Sequence, residues 1–296
     1  MKKLRLYAAM FRVEQWGKNL LVFLPLVLFP NISTSDAGLV ILVFMAFCFC
    51  SSTIYIVNDW TDRSADAMHP TKKFRPFASQ ELQAQDAALG FVLASFSAGF
   101  LLWYLSSEVM AVTLLLGFYV LQSLVYSYWL KNVTLLEMMI VSTGYSYRAL
   151  AGGLAVGLPT STWILATIFL ASVFMVALKR MADITACENP EALRRSFRTY
   201  TPQFLSGVAN VSASAAVVSY LLFTLSGYAQ TKFDNPYLPL SAIFIVYAVF
   251  RYTQVALVTG LGGNPIKLIT RDKHLRVCVA LCVAFLFVSN ALLEGL

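Results

Sequence analysis

The stretch 57–79, VNDWTDRSADAMHPTKKFRPFAS, decides how this chain is read. Asp59, Asp62 and Asp66 stand there among Arg63, Lys72, Lys73 and Arg75, in a chain of 296 residues that is 58% hydrophobic and only 12% charged. Soluble domains carry about 25% charged residues. Outward from this stretch, on both sides, apolar runs of about 20 residues recur, the length needed to cross a hydrocarbon core of ~30 Å. The expected fold class is an all-α membrane protein.

Nine candidate transmembrane helices are read at 19–34, 37–57, 86–105, 108–128, 133–157, 161–179, 204–228, 238–259 and 275–294. The connections after spans 1, 3, 5 and 7 hold a single cation, Lys232. Arg148 and Arg251 lie well inside spans, and the remaining Lys and Arg fall at the N-terminus or in, or at the very edge of, the connections after even-numbered spans. The positive-inside rule then puts the N-terminus and the even-numbered connections in the cytoplasm and the C-terminus outside. The net charge of +7 belongs to one face, where it meets anionic headgroups of the lipid bilayer rather than nucleic acid. No small-residue cleavage site follows the basic segment Met1–Arg12, so no removable signal peptide is expected. The loops leave no room for a soluble second domain, and residues 1–296 read as one transmembrane catalytic domain. A homo-oligomer is left open.

Cys48, Cys50, Cys187, Cys278 and Cys282 show no paired metal-type spacing and read as packing residues. His69 and His274 lie in loops and form no constellation. There is no Ser–His–Asp candidate, no Walker loop and no dinucleotide fingerprint.

Headgroup contact explains the cations but not the carboxylates between them. Asn58, Asp62 and Asp66 recur every four residues and form one inward line if the second span continues as a helix past Asn58. Tyr55 lies one turn earlier, and Asp59 is offset but reaches the same volume. Carboxylates at i and i+4 repel each other, and a divalent cation turns that penalty into a binding site. Oxygen ligands alone suit Mg2+, which favours sites shared with substrate phosphates. The plainer alternative is a solvated helix end with scattered salt bridges. The run Lys72–Lys73–Phe74–Arg75 follows at once, bracketed by Pro70 and Pro76, and supplies cations for phosphate. Ser79, with Glu81 after it, is placed to cap the next helix.

The pattern N-D-x-x-D-x-x-x-D at the end of the second span resembles the first Asp-rich motif of the UbiA superfamily of intramembrane prenyltransferases. Within it, the stretch beginning NDWTDRSADAMHP resembles the decaprenyl-phosphate phosphoribosyltransferase branch. So do EQWGKNLLVFLPL at 14–26, YSYWLK at 126–131, STGYSYRALAGG at 142–153, FRYTQ at 250–254 and GGNPIKLITRD at 262–272. The resemblance implies a UbiA-type bundle with a cytoplasm-facing active-site mouth in the bacterial inner membrane. A second Asp-rich motif is expected after the sixth span. There the chain reads LKRMADITACENPEALRRSFRTYT at 178–201, with Asp183 kept and Lys179 and Arg180 where another acidic residue tends to stand. One acidic arm and many cations suit a substrate richer in phosphate than a prenyl diphosphate.

The implied reaction is Mg2+-dependent transfer of the 5-phosphoribosyl group from phosphoribosyl diphosphate to a polyprenyl phosphate, with release of pyrophosphate. Product use in arabinose donor synthesis for a cell wall follows from the resemblance alone. Metal ligation is assigned to Asn58, Asp59, Asp62 and Asp66, and catalysis to Asp62, Asp66 and Asp183. Substrate binding is assigned to Lys18, Tyr55, Lys72, Lys73, Arg75, Tyr126, Lys131, Arg148, Lys179, Arg180 and Arg251. Glu137, Arg148 and Arg251 lie within spans and must be paired or hydrated. For Arg148, substrate phosphate, a carboxylate, backbone carbonyls and another subunit all remain open as partners. Asn189–Pro190–Glu191 reads as the start of a short helix whose Arg194, Arg195 and Arg198 either cover the site or lie on headgroups, the second being favoured, and Thr201–Pro202 as the start of the seventh span. Two rival functions share these features: prenyl transfer from an isoprenyl diphosphate to an aromatic acceptor, and secondary transport. Transport fits less well, because the polar clusters sit at span ends and not at the midplane.

Overall fold

The computed structural model describes residues 2–28, 33–68, 72–186, 195–233, 235–259, 261–263 and 265–294. His69, Pro70, Cys187, Arg194 and the helix start expected at Asn189–Pro190–Glu191 lie outside the described residues. Every element among the described residues is helical. Two compact units divide the chain: Met1–Lys131 with Tyr147–Pro159, and Asn132–Ser146 with Thr160–Leu296.

The first unit contains α1 (Lys2–Met10), a 3-10 segment (Val13–Phe23), α2 (Leu24–Leu28), α3 (Thr34–Thr61), α4 (Arg63–Ala67), α5 (Ala84–Glu108), α6 (Met110–Tyr128) and the later part of α7 (Leu136–Ala155). Packing against α3 uses the face of α5 that carries Ala87, Gly90, Ala94 and Ala98, all buried at three- and four-residue spacing. Lipid gives helices no hydrophobic reason to associate, so small residues that let backbones approach do that work. The opposite face of α5 exposes Leu89, Val92, Leu93, Phe96, Phe100 and Trp103. The core of the unit gathers Val22, Val43, Phe47, Leu105, Leu116, Tyr119 and Ala151.

The second unit contains α8 (Thr162–Thr185), α9 (Pro202–Leu225), α10 (Gly227–Phe233), α11 (Ala242–Thr259), α12 (Pro265–Arg271) and α13 (Lys273–Glu294), with the start of α7. The stripe Leu205, Ala209, Ser212, Ala213, Ala216, Ser219 and Tyr220 on α9 is buried, again mostly small and again helical in period. The core of this unit collects Met138, Phe174, Leu178, Leu205, Tyr252 and Leu268.

Among the described residues, six helices are long and apolar enough to cross a membrane: α3, α5, α6, α8, α9 and Leu238–Thr259. The first, fifth and ninth expected spans are not among them. The first is not one continuous α-helix over its described residues: a 3-10 segment runs to Phe23, and the separate helix α2 starts at Leu24 with Pro25 in its first turn. Pro is accommodated in a first helical turn, whereas inside a helix it removes a hydrogen bond and clashes with the turn before it. Over the fifth, α7 is helical but carries Glu137, Arg148 and a run of Ser, Thr and Tyr. Over the ninth, α13 is a helix of 22 residues, with its side chains beyond Ser289 outside the description.

Two helix starts differ in outcome. Thr201 caps α9 as expected, accepting from the Phe204 N–H at 3.1 Å with Pro202 next in line. Ser79 does not cap α5. The helix begins five residues later at Ala84, where the Asp86 carboxylate accepts from the Gln83 N–H at 2.9 Å. Residues 76–82 instead fold back, with the Leu82 N–H donating to the Pro76 carbonyl and with Phe77 and Leu82 buried beside Met10 and Ile56.

Close backbone approach gives a direct test. A Cβ on Gly152 would sit 2.1 Å from the Val22 carbonyl oxygen, whereas one on Gly90 would clash with the flexible end of Met10 and touch Ile56 only at ordinary contact distance. Gly152→Ala should cost roughly 1–3 kcal/mol by overpacking, read as a lower Tm in detergent. Gly90→Ala should shift Tm far less, because Met is flexible.

Candidate active site

The polar end of α3 is built by several segments of the first unit. Asp62 ends α3, its N–H donating to the Asn58 carbonyl at 2.8 Å, and α4 then carries Asp66. The four-residue hydrogen bonds run on through Asn58, Asp62 and Asp66, the Asp66 N–H donating to the Asp62 carbonyl at 2.8 Å, with a turn at Asp62 between the two helices, yet the carboxylates divide by environment. Asp59 and Asp66 are each 5% exposed, whereas the Asp62 side chain is 43% exposed.

Asp59 accepts from Arg12 Nε at 2.9 Å and from Arg12 Nη2, and Arg75 Nη1 adds a third contact at 2.9 Å. The same Arg75 nitrogen lies 2.6 Å from Asp66, with Lys72 Nζ at 3.8 Å from that carboxylate. Lys131 Nζ approaches Asp62 at 3.6 Å. Asn58 donates through Nδ2 to Ser127 Oγ at 3.0 Å, and Ser127 in turn donates to the Ser123 carbonyl. The Arg12 guanidinium lies over the Tyr55 ring at 4.5 Å. Lys73 is exposed beside Phe74, while Lys18 and Tyr126 are half-buried on the 3-10 segment and α6.

The salt bridges of the plainer reading are thus present, but two of the three carboxylates in them are buried. The donors at this helix end are all oxygen, one amide and three carboxylates, which fits a hard divalent ion such as Mg2+. Among the described residues no three His, Cys, Asp or Glu side chains gather closely enough to hold a metal by themselves. An ion of that kind completes its shell with water and substrate phosphate.

In the second unit, Glu137 at the start of α7 is 0% exposed and accepts two bonds from Arg180, at 2.8 and 2.7 Å. Arg180 also donates to Asp183 at 3.2 Å and lies over the Phe197 ring at 5.6 Å. Leu135, in left-handed backbone just before α7, donates its N–H to the Tyr200 hydroxyl at 2.9 Å. Burial pushes the Tyr200 phenol up to about 12. Lys179 is half-buried, and Arg195 and Arg198 are exposed.

Two cations expected at substrate have protein partners. Arg148 is buried, donates to Asn19 Oδ1 at 2.6 Å and to the Tyr119 hydroxyl at 3.1 Å, and lies over the Phe47 and Tyr119 rings. Arg251 chelates Asp272, with Nη2 at 2.7 Å, and also donates to Gln254. Cys48, Cys50 and Cys278 are buried free thiols, as packing residues would be.

Arg12, Asn19, Ser127 and Asp272 are not marked by sequence reasoning. Arg12 is hidden among N-terminal topology cations. Asn19 and Asp272 sit inside the family-like blocks at 14–26 and 262–272, but spacing says nothing about partners that are distant in sequence.

A membrane-embedded helical bundle with an acidic, oxygen-donor helix end ringed by cations defines an intramembrane enzyme that handles phosphorylated substrates. The profile of the UbiA prenyltransferase family matches residues 19–259, and the chain belongs to that family. It is 34% identical over 284 residues to the decaprenyl-phosphate phosphoribosyltransferase of Corynebacterium glutamicum, covering 93% of this chain and 83% of that one. Against the Mycobacterium tuberculosis protein of the same name, identity is 33%, covering 92% and 90%. A UbiA homolog from Archaeoglobus fulgidus, solved with GPP and Mg2+, superposes with a TM-score of 0.70 over 97% of this chain and 99% of that one, at 16% identity. That likeness establishes the all-helical UbiA fold.

The ion pairs of the second unit are open to direct tests. Arg180→Ala removes the cation that faces buried Glu137 and should cost roughly 3–5 kcal/mol, whereas Glu137→Leu with Arg180→Met should recover most of it. Thermal unfolding of the parent and both variants reads each effect. Asp272 is held below the usual carboxylate range by its hydrogen bonds from Arg251, and the Leu275 N–H adds to this. A depressed folded-state value means that the pair stabilises fully above the ordinary carboxylate value of about 3.9, and that this is lost as pH falls through the lower folded-state value. Asp272→Asn should flatten that acid limb in a plot of Tm against pH.

Proposed function

We propose that the chain transfers the 5-phosphoribosyl group from phosphoribosyl diphosphate to a polyprenyl phosphate, releasing pyrophosphate. The observation that carries this reading is identity of 34% to a protein named decaprenyl-phosphate phosphoribosyltransferase across 93% of the chain. The placement of the motif residues supports it. Asn58 and Asp62, with Asp66 beside them, would hold Mg2+. When bound, the ion would offset charge on the departing diphosphate.

The chain's own groups do the rest. A phosphate monoester is ionised at neutral pH, so its oxygen attacks ribose C1 without a strong general base. The bond from C1 to that oxygen forms as the bond from C1 to the diphosphate breaks, and pyrophosphate leaves with the electron pair. Lys72, Lys73, Arg75 and Lys131 of the first unit are proposed to meet phosphate oxygens, Arg by its fork and Lys as a point charge. Tyr55, Tyr126 and Lys18 are proposed to line the same end. In the second unit Lys179 is the proposed phosphate contact of the pair 179–180, since Arg180 is bonded to Glu137, and Asp183 keeps its proposed role beside Arg180. Arg148 and Arg251 are proposed to shape the bundle around the substrates through their protein partners. Positioning and charge stabilisation supply the rate.

The proposed arrangement is a single nine-span catalytic domain in the bacterial inner membrane, with the N-terminus, the end of α3 and Lys131 on the cytoplasmic side. The confinement of almost all loop cations to one set of connections supports that orientation.

An assay of the purified protein with phosphoribosyl diphosphate and decaprenyl phosphate should yield the phosphoribosyl lipid and pyrophosphate. Replacing phosphoribosyl diphosphate by an isoprenyl diphosphate with an aromatic acceptor should give nothing. The opposite preference overturns the reading. Chelation by EDTA should stop turnover and Mg2+ should restore it. Asp62→Ala should lower kcat by at least ~100-fold while Tm stays close to that of the parent protein.

A further inference from the structure

Asp59 is the carboxylate whose place in the motif the four-residue spacing does not explain. It is buried and accepts three contacts from two guanidinium groups. Arg12 supplies two of them, from a segment remote in sequence, and it is the more firmly held of the two. Its backbone is left-handed, with φ 50°, a conformation uncommon for residues other than glycine. The contacts on either side pin it there. Tyr7 donates to Asp86 at 2.7 Å, and Met10 is buried in the notch left by Gly90. Ser52 Oγ donates to the Phe11 carbonyl at 2.8 Å and accepts from Trp16 Nε1 at 3.2 Å. The guanidinium also covers the Tyr55 ring. Arg75, by contrast, reaches both Asp59 and Asp66 through one nitrogen.

We infer that Arg12 is a positioning residue: by holding Asp59 in a two-nitrogen clamp it keeps that carboxylate out of the metal-ligand set and leaves the divalent ion to Asn58 and Asp62. This rests on the proposed function for its kinetic consequence but not for its metal-binding consequence. Without Arg12, Asp59 keeps only the Arg75 nitrogen that it shares with Asp66, and becomes available as an additional anionic ligand next to Asn58. Metal affinity rises with ligand charge, but the ion then sits in the wrong shell for the diphosphate. The signature is therefore tighter metal binding together with slower turnover, a combination that general loosening of the helix end does not produce.

The test uses the full chain in detergent and Mn2+ as the probe, with binding followed by electron paramagnetic resonance without substrates. Arg12→Ala should tighten Mn2+ binding about tenfold and lower kcat about tenfold or more, the scale typical of groups that orient metal ligands. Arg12→Ala combined with Asp59→Asn should return Mn2+ affinity to within about twofold of the parent, since the released charge is gone. Unchanged or weaker Mn2+ binding in Arg12→Ala overturns the inference. So does a double variant that binds Mn2+ as tightly as the single one, or a loss confined to KM for phosphoribosyl diphosphate, which would make Arg12 a substrate contact. If Arg12→Ala does not fold, Arg12→Lys carries the same test, because Lys cannot reproduce the fork; parental Mn2+ affinity and kcat in that variant overturn the inference. A parent protein that fails to use phosphoribosyl diphosphate while the Mn2+ pattern holds refutes the proposed function alone. Turnover without that pattern refutes the inference alone.

Discussion

A charge inside a hydrocarbon-bounded bundle costs several kcal/mol unless an opposite charge or a complete set of hydrogen bonds meets it. This constraint organises both units of the molecule. Glu137 and Arg180 satisfy each other across α7 and α8. Asp59 is met by Arg12 and Arg75, and Asp66 by Arg75 and Lys72. Arg251 of α11 is met by Asp272 at the start of α13. Each of these networks joins separate elements, so the pairs work as cross-links as well as neutralisers.

The same constraint shapes what the acidic end of α3 can do. If every carboxylate there were equally exposed, their mutual repulsion would have to be overcome each time a substrate bound. Instead two of them are buried against guanidinium groups, while Asp62 is left 43% exposed with one cation at 3.6 Å. Preorganised charge of this kind avoids reorganisation at the moment of reaction. It also divides one motif into two environments, since Asp59 and Asp66 are paired inside the protein and Asp62 alone of the three is substantially exposed.

Much of this is legible in the amino-acid sequence. The apolar runs point to the all-helical membrane fold, and the blocks around Asn58, Lys131, Arg148 and Arg251 point to the family. Thr201–Pro202 marks the start of α9 because an N-cap and a first-turn proline act locally. The failures have physical causes too. Ser79 has the chemistry of a cap, but the chain from Pro76 to Leu82 is held by burial of Phe77 and Leu82, and tertiary packing outweighs a local preference. The first span reads as continuous because hydropathy counts Pro25 as one residue among many, whereas the backbone registers the hydrogen bond it lacks. Arg12 is invisible to spacing because its partner lies 47 residues away.

Helical phase accounts for the finest level of error. Neighbouring residues on a helix point about 100° apart, so residues adjacent in a motif inhabit different surroundings. Lys179 and Arg180 read as one basic pair, yet Arg180 is 5% exposed and bonded to Glu137 while Lys179 is half-buried. Asn58 and Asp59 read as one N-D unit, yet Asn58 turns to Ser127 on α6 and Asp59 to Arg12 before the 3-10 segment. Residue types at this helix end therefore specify the chemistry available, and the turn of the helix divides that chemistry among the residues. A carboxylate that faces a guanidinium already has its counter-ion within the protein, whereas Asp62, at the turn that ends α3, is left substantially exposed.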